Sequence, residues 1–439
     1  MTKAIFATFR LESSVGDYAK RGASWWAQRS IWLAAEGDTL ILPGPPDQAW
    51  LDYATALMGF ESSTLNVLVA PPANDGETAR LSLERLRNPR FLRKMKRELP
   101  SSTSRVVSCV SDPGIARLVS ELELEHCLPG HEYIMQGGAW LAESKTTFRA
   151  LAAAQGIPIS EGTVSHSPED ALDVVLEFLA HGKSVMLKHP YKSSGAGNYI
   201  LTSNTELDPV GSNHVSVLAG DRGEALRVLQ DLWPALSQDG RFLVVVEEYH
   251  ENAKAFFAEF SVTDQEILLQ TTGELFSRPV GDAQALPATS LTADQANELV
   301  AHGRKLCESY QKMGYRGPAS ADAILLANGT LLFTECNCCV TGTTPTYEGV
   351  GFRVVGREYF PKDRVIYERV DWRVPDHHAA LNHLEQHGIA YSAAERQGVI
   401  LTSPPEPRLG SVMYCIVAAT LDEARAMDAT VRKGFQEKP

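Results

Sequence analysis

Two carboxylates and a carboxamide near residue 330 are the side chains best suited to chemistry. Asp322 lies in the apolar run SADAILL, and Glu335 and Asn337 end the run TLLFTECN, with an Ala-Asn-Gly segment between the runs. Asn-Gly favours a tight hairpin turn, so the sequence predicts two antiparallel strands with Asp322 beside Glu335. Because side chains alternate along a strand, Asn337 projects from the same face. Such oxygen ligands suit one or two Mg²⁺ ions and leave positions for phosphate oxygens; the alternative is an edge hairpin with solvated acids.

A lysine followed by a serine- and glycine-rich loop is the second feature. Residues 183–201 predict a strand that ends at Lys188, a loop and another strand. The loop holds Ser193, Ser194, Gly195 and Gly197. Glycines let successive backbone N–H groups point at one anion, and a lysine ammonium adds a point charge. Because the lysine precedes the glycines and a strand follows, this is not the strand–loop–helix phosphate loop. An ordinary hairpin turn is the alternative.

A third strand, RFLVVVEEYHE at 241–251, runs directly into acids and a histidine. Its final residues, Glu247, Glu248 and His250, are placed to offer backbone groups to an adenine edge. The alternative is a strand that leaves the core into a polar loop. Upstream, Lys145 lies on a predicted helix, and Ser167 with its following proline predicts the start of the next helix.

Taken in order, these segments resemble the ATP-grasp family of carboxylate–amine ligases over residues 140–350. In that resemblance Lys145 and Lys188 match the two phosphate-binding lysines, with Lys188 also the candidate for a catalytic role. Residues 193–197 match the flexible loop over the phosphates, and 247–250 match the adenine-binding hinge. ATP is the cofactor that this resemblance implies.

The metal ligands follow the same resemblance. The thirteen-residue step from Asp322 to Glu335, followed by Asn337, matches the metal-binding residues of D-alanine–D-alanine ligases. Mg²⁺, or Mn²⁺ in its place, is therefore implied. Many relatives carry a basic residue just after the metal asparagine or two residues before the metal aspartate, but this sequence has Cys339 and Ser320 there.

A guanidinium at either place would hold a carboxylate or an acyl phosphate in bidentate fashion, so this chain must supply that charge elsewhere. The candidates for substrate binding are Arg278, Arg316 and Arg353. The acid that would bind ribose is left open between Glu251 and Glu259.

The function implied is formation of an amide from a carboxylate, activated by ATP as an acyl phosphate, and an amine. The substrates would be small amino acids or peptides, and the resemblance extends to peptide ligases of the pheganomycin type, a setting of natural product biosynthesis. Other possibilities are a lactam-forming or γ-glutamyl ligase and a nucleotide-binding module without turnover.

Composition agrees with an enzyme of several domains. The chain has 439 residues, more than one core accommodates, and a formal charge of −13 argues against nucleic acid or an anionic membrane as partner. No apolar run reaches membrane-spanning length, and the start MTKAIFATFRLESS has no secretory hydrophobic region, so we expect a cytoplasmic protein. The oligomeric state is left open, with a homodimer among the options.

The seven cysteines suit a reducing compartment. Cys336, Cys338 and Cys339 lie beside the acidic pair and raise the alternative of a thiol–metal or redox protein. No paired histidine supplies the usual ligand geometry, and Cys336 should face away from Glu335 and Asn337. Small buried residues are the default interpretation.

The predicted architecture is mixed α/β and α+β in three regions. Residues 1–138 alternate strand-like runs with helices, including a tryptophan-rich helix at 22–36, and predict a parallel sheet covered on both faces. Residues 139–350 form the ATP-grasp nucleotide- and metal-binding region, and 351–439 form a small α+β cap. In the cap, His383 and His387 have helical spacing but no third ligand, which is typical of a solvated helix face.

Overall fold

The computed structural model describes residues 2–8, 25–76, 80–193, 195–277, 281–406 and 410–435. Its N-terminal part is a four-stranded parallel sheet with the order β3-β2-β1-β4. The strands are β1 Thr2–Phe6, β2 Thr39–Leu42, β3 Asn66–Val69 and β4 Thr103–Ser108.

Helices cover both faces of this sheet, as predicted. Ile5 and Leu40 point into a core with Trp32 and Trp50, whereas alternate residues such as Phe6 point into a second core on the opposite face. The helices and helical turns are Gln28–Leu33, Gln48–Leu57, Ser62–Thr64, Leu83–Leu86, Pro89–Glu98, Pro113–Glu121 and Glu125–Cys127. In the segment 22–36, predicted as a tryptophan-rich helix, residues 25–27 are α-helical and continue into the 3₁₀ helix Gln28–Leu33, so the helix ends before residue 34; residues 22–24 lie outside the described residues.

A five-stranded sheet follows, with the order β5-β9-β6-β7-β8. Its strands are β5 Gly162–Ser165, β6 Ser184–Lys188, β7 Asn198–Thr202, β8 Val215–Val217 and β9 Val244–Tyr249. The helices Pro168–Ala180 and Arg222–Ser237 pack on one face against Val185 and Leu187. Because side chains alternate, Met186 and Lys188 point from the other face, which borders a cleft.

The largest sheet has eight antiparallel strands in the order β14-β13-β10-β11-β12-β15-β17-β16. The first five in sequence are β10 Lys254–Val262, β11 Ile267–Ser277, β12 Gly281–Leu286, β13 Gly317–Leu325 and β14 Leu331–Asn337. The last three are β15 Val365–Arg373, β16 Gly398–Leu401 and β17 Ser411–Ala418. The C-terminal strands thus extend the sheet that contains the acidic hairpin, and the described residues after 350 form no separate sheet.

The remaining helices pack on the eight-stranded sheet or connect it to its neighbours. They are His131–Met135, Gly138–Ala142, Lys145–Ala154, Ala293–Met313, His377–Gln386 and Leu421–Val431, with a π-helical segment at Thr346–Gly356. Helix Ala293–Met313 begins with a capping box between Thr292 and Gln295 and buries Leu299 and Leu306 against the sheet. None of the helices in the described part of the chain has the length and apolar character that a membrane span requires.

His383 and His387, the two C-terminal histidines with helical spacing, take part in aromatic packing. The rings of His383 and His387 lie 4.2 Å apart, and His383 packs against Trp372 and Phe435. Within the described ranges, no three His, Cys, Asp or Glu side chains are grouped as a metal site. The boundaries at 138 and 350 stay predictions.

Candidate functional site

A cavity of about 560 Å³ lies where the three sheets meet. Ten of the residues predicted from sequence line it: Lys145, Lys188, Ser193, Gly195, Glu247, Glu248, His250, Asp322, Glu335 and Asn337. Of the other two, Gly197 does not line the cavity, and Ser194 lies outside the described residues. A wider hollow of about 960 Å³ adjoins it along β11 but contains neither predicted lysine nor the acidic hairpin.

The acidic hairpin has the predicted register. Asp322 on β13 is directly opposite Glu335 on β14, and Ser320 is opposite Asn337. The Asn337 side-chain amide donates to Asp322 Oδ2 at 2.9 Å, and the Ser320 hydroxyl donates to Asp322 Oδ1 at 2.7 Å. Three oxygen-bearing side chains therefore converge at one end of the cavity.

The electrostatics of this cluster favour a cation. Burial, together with neighbouring Glu335, raises the pKa of Asp322 well above its usual range. Burial also acts to raise the pKa of Glu335, but Lys145 and Lys188 outweigh it and lower that pKa to about 2. Glu335 ionises readily, whereas Asp322 beside it does not. A divalent ion would supply the positive charge that this pair of carboxylates still lacks. Asp322, Glu335 and Asn337 thus fit a hard, oxygen-binding cation.

A third acid lies against the same cluster. Glu259 on β10 is fully buried opposite Ser320, and its Oε1 accepts from the Thr341 hydroxyl at 2.9 Å. Burial raises the pKa of Glu259 to about 8. This glutamate was a candidate for ribose binding, but it lies at the metal end of the cavity. The other candidate, Glu251, accepts from Asn204 at the surface.

Lys145 spans the cavity from the start of its helix. Ser144 caps that helix, and Lys145 is its first residue, 7% exposed. The Lys145 ammonium lies 2.7 Å from Glu335 Oε2 and donates to the carbonyl of Lys192 at 2.8 Å. It therefore connects the acidic hairpin to the glycine loop.

Lys188 is the last residue of β6, and its ammonium lies 2.5 Å from Glu247 Oε1. The other Glu247 oxygen, Oε2, pairs with Arg149 at 2.5 Å. Arg149 also donates to the carbonyl of Ser160 at 3.0 Å. All three charged side chains are almost fully buried, so Glu247 positions both cations at this end of the cavity.

The glycine loop is organised by a histidine. His189 Nδ1 accepts from the backbone N–H groups of Tyr191 at 3.0 Å and Lys192 at 3.2 Å. Burial, with Lys192 and Lys145 nearby, lowers the pKa of His189 to about 4, so the ring is neutral at pH 7. Gly195 has φ +75°, which favours glycine, and a Cβ at Gly197 would lie 2.7 Å from that of Lys192. Gly197 thus allows close packing within the loop.

At the predicted hinge, Glu247 lies on β9 and lines the cavity, and the strand ends at Tyr249. Lys183 bridges Glu161 and Glu248, each at 2.9 Å. The backbone N–H of Glu248 donates to the carbonyl of Glu161 at 2.8 Å. His250 lies 3.7 Å from Glu248 through Nδ1, and burial lowers its pKa. Glu248 and His250 both line the cavity at this end.

The three candidate arginines are not brought to the cavity. Arg316 pairs with exposed Asp264 at 2.6 Å and donates to two nearby carbonyls. Arg353 donates to the carbonyls of Leu33 and Ala34, on the N-terminal part of the chain. Arg278 lies outside the described residues. Among the described residues that line the cavity, Arg29 is the one arginine.

Sequence reasoning missed Arg149, His189 and Arg29. Arg149 follows Lys145 by four residues and so shares its helix face, a signal that could have revealed it. His189 directly follows Lys188. Arg29 comes from a segment far away in sequence, and no motif marks it.

Cys336 and Cys338 are buried on the far side of the hairpin, with 3.9 Å between their sulphurs. They pack with Cys307 and Phe333 in the core. Cys336 therefore faces away from the cavity, as predicted, whereas Cys339 lines it.

Comparison with known families identifies two segments. A family model described as the Pre ATP-grasp domain matches residues 27–124, and one described as the PGM1 C-terminal domain matches residues 379–431. Comparison with curated proteins gave no match.

Solved structures with the same fold cover nearly the whole chain. The biotin carboxylase domain of 2-oxoglutarate carboxylase from Hydrogenobacter thermophilus, solved with MgADP, ADP and bicarbonate, has a TM-score of 0.59 at 13% identity, over 99% of this chain and 90% of that chain. The L-amino acid ligase from Bacillus licheniformis has a TM-score of 0.55 at 12% identity, over 98% and 97%. The ADP complex of N5-carboxyaminoimidazole synthetase from Staphylococcus aureus has a TM-score of 0.55 at 12% identity, over 98% and 96%.

These likenesses define the class of protein by its fold. The chain has the ATP-grasp fold, and residues 27–124, in its N-terminal part, match the Pre ATP-grasp domain.

Proposed function

We propose that this protein is an ATP-dependent ligase that joins a carboxylate, activated as an acyl phosphate, to the amine of an amino acid or peptide. The observation that carries the proposal is the convergence of Lys145 and Lys188 with Asp322, Glu335 and Asn337 in one cavity. The L-amino acid ligase and the synthetases with the same fold support this class of reaction. The resemblance to peptide ligases of the pheganomycin type supports amino acids or peptides as substrates.

The lysines would hold the phosphates. Both ammonium groups are buried beside carboxylates, Lys145 with Glu335 and Lys188 with Glu247, which hold them in place. Ser193 and Gly195 line the cavity with these lysines, and the glycine allows backbone N–H groups to approach a phosphate. Glu248 and His250, at the end of β9, border the place where an adenosine would follow.

Asp322, Glu335 and Asn337 would hold Mg²⁺ or Mn²⁺. When bound, the ion offsets the negative charge of the β- and γ-phosphates. The chain's own contribution is positioning: the hairpin fixes the ligands, and Lys145 and Lys188 place the γ-phosphate beside them.

The reaction then has two steps. An oxygen of the substrate carboxylate attacks the γ-phosphorus, and the bond to the bridging oxygen breaks, which releases ADP. The amine nitrogen attacks the carbonyl carbon of the acyl phosphate, phosphate leaves with the bonding electrons, and the nitrogen loses a proton. Exclusion of water from the cavity during the reaction would protect the acyl phosphate from hydrolysis.

The test is ADP release from ATP and Mg²⁺ with pairs of amino acids, followed by mass spectrometry of the products. We expect ADP release that depends on both substrates and a product that lacks one water relative to their sum. ATP binding without ADP release for every pair would contradict the proposal and indicate a binding module. A product from a single substrate would indicate a lactam-forming ligase instead.

A further inference from the structure

A buried arginine from the N-terminal part of the chain reaches the cavity. Arg29, in the 3₁₀ helix Gln28–Leu33, is 2% exposed and lines the cavity with Trp26. Its Nη2 donates to Glu368 on β15 at 2.7 Å and to the Thr346 hydroxyl at 3.2 Å. The guanidinium carbon lies 4.7 Å from the centre of the Trp26 ring. The N-terminal and C-terminal parts of the chain thus meet at this guanidinium.

Both carboxylate oxygens of Glu368 accept hydrogen bonds. Besides Arg29, its Oε1 accepts from the hydroxyls of Thr346 at 3.0 Å and Thr402 at 3.4 Å. Its Oε2 accepts from the side-chain amide of Gln284 at 2.5 Å. Because neutral donors share the charge of Glu368, this carboxylate is stabilised without using every donor of Arg29.

Arg29 retains an unused donor. Its Nε is buried and has no hydrogen-bond partner among the described residues. A buried N–H group without a partner costs about 1–3 kcal/mol, more when it belongs to a charged group. Such a group beside a cavity indicates a ligand that accepts hydrogen bonds, and the planar guanidinium matches a carboxylate.

The positions of the other charges in the cavity indicate which substrate carboxylate would bind here. In the proposed reaction one carboxylate is activated beside the metal hairpin, where Lys145 and Lys188 lie. A carboxylate on the amine-bearing substrate takes no part in bond making and stays negative throughout. It needs a cation apart from these two lysines. Of the other described lysines and arginines that line the cavity, Lys192 lies on the glycine loop and Arg29 is the one arginine.

We propose that Arg29 binds the free carboxylate of the amine-bearing substrate, which is therefore an α-amino acid or a peptide with a free C-terminus. This inference rests on the proposed ligase function. Glu368 acts through Arg29 as a positioning residue, because it orients the guanidinium at the cavity wall.

The test compares amino acids with their α-carboxamides, which keep the amine but lose the carboxylate charge. Thermal stabilisation of the whole chain is measured with ADP and Mg²⁺, first with an equimolar pool of the twenty amino acids and then with the matched amides. For the wild type we expect the acids to bind about ten- to a hundredfold more tightly than the amides. Equal stabilisation by both pools, or none by the acids, overturns the inference without any variant.

Substitutions show which residues produce the preference for acids over amides. Arg29→Gln combined with Glu368→Gln keeps hydrogen-bonding groups in the buried site and should abolish the preference for acids. Glu308→Ala, an exposed acid on helix Ala293–Met313 that does not line the cavity, should retain it. A preference that survives in the double variant overturns the inference.

Two further measurements separate the roles. Arg29→Lys keeps the charge but loses the bidentate geometry, so part of the preference should return; Glu368→Gln alone should weaken amino acid binding and leave ATP binding unchanged. ADP release measured on the same samples reports the ligase function separately. If Arg29 discriminates acids from amides but no ADP is released, the ligase function is contradicted and the Arg29 binding site is still supported.

Discussion

Lys145 and Glu335 form an ion pair, 2.7 Å between Nζ and Oε2, that joins a helix start to the metal hairpin. The pair makes the proposed phosphate site and the proposed metal site interdependent. A ligand that binds between them must replace this contact with interactions of its own. Substitution of either residue therefore affects both sites.

We expect Glu335→Ala and Asn337→Ala to abolish ADP release while the chain remains folded, because both residues serve the ligand more than the core. Asp322→Asn should be milder, since one ligand oxygen remains. Activity is measured at saturating Mg²⁺, with circular dichroism to monitor folding. Glu308→Ala, an exposed acid on helix Ala293–Met313, is the matched control. Activity near that of the wild type in both alanine variants would contradict the metal assignment.

Lys188→Ala should weaken ATP binding or lower the rate by about ten- to a hundredfold, the cost of a lost charge-assisted contact in a buried site. Lys192→Ala, on the loop, should cost less, because the Lys192 contact to Lys145 uses its backbone carbonyl. ATP titration by calorimetry measures both effects. Equally small effects would indicate that the loop is only a turn.

His189 predicts a specific dependence of stability on pH. Folding lowers the His189 pKa from 6.5 to about 4, so between these values the unfolded chain binds more protons than the folded one. The His189 contribution to stability is therefore complete above pH 6.5 and is lost as the pH falls towards 4. Urea unfolding across this range should show a steeper loss for the wild type than for His189→Asn, whose side-chain oxygen can accept in place of Nδ1. Parallel curves would contradict the neutral buried ring.

Gly197→Ala should displace the loop, because the new Cβ would lie 2.7 Å from Lys192 Cβ and 2.8 Å from His189 Cβ. ATP affinity should fall while the melting temperature changes little. Gly44→Ala, at a glycine with open space around its Cβ position, is the control and should leave ATP affinity unchanged. The same affinity in both variants would mean that the loop takes no part in nucleotide binding.

Arg316→Ala should leave ADP release close to that of the wild type, because Arg316 is held by exposed Asp264 and by backbone carbonyls outside the cavity. A tenfold rise in a substrate KM for this variant would show that Arg316 moves into the cavity during the reaction. Kinetics of the wild type and Arg316→Ala on the same substrate pairs decide the matter.

Local patterns were enough to predict the hairpin and the two lysines. Asn-Gly turn chemistry favours the hairpin, a register shift between Asp322 and Ala323 brings Asp322 opposite Glu335, and strand alternation directs Lys188 into the cavity. Arg29 and Glu368 could not be paired from sequence, because they are 339 residues apart and their meeting depends on how the sheets pack. The place of the C-terminal strands in the large sheet could not be predicted for the same reason. The pairing of β12 with β15 depends on tertiary packing, which no local pattern specifies.

The buried pair between Arg149 and Glu247 limits how the cavity can open. Arg149 lies on a helix whose Phe148 and Ala152 pack against the eight-stranded sheet, whereas Glu247 belongs to the five-stranded sheet. Separating the pair would leave the buried Arg149 without its carboxylate partner, at a cost of about 3–5 kcal/mol. The pair therefore holds this helix to the five-stranded sheet, and we expect any opening of the cavity to keep the contact intact.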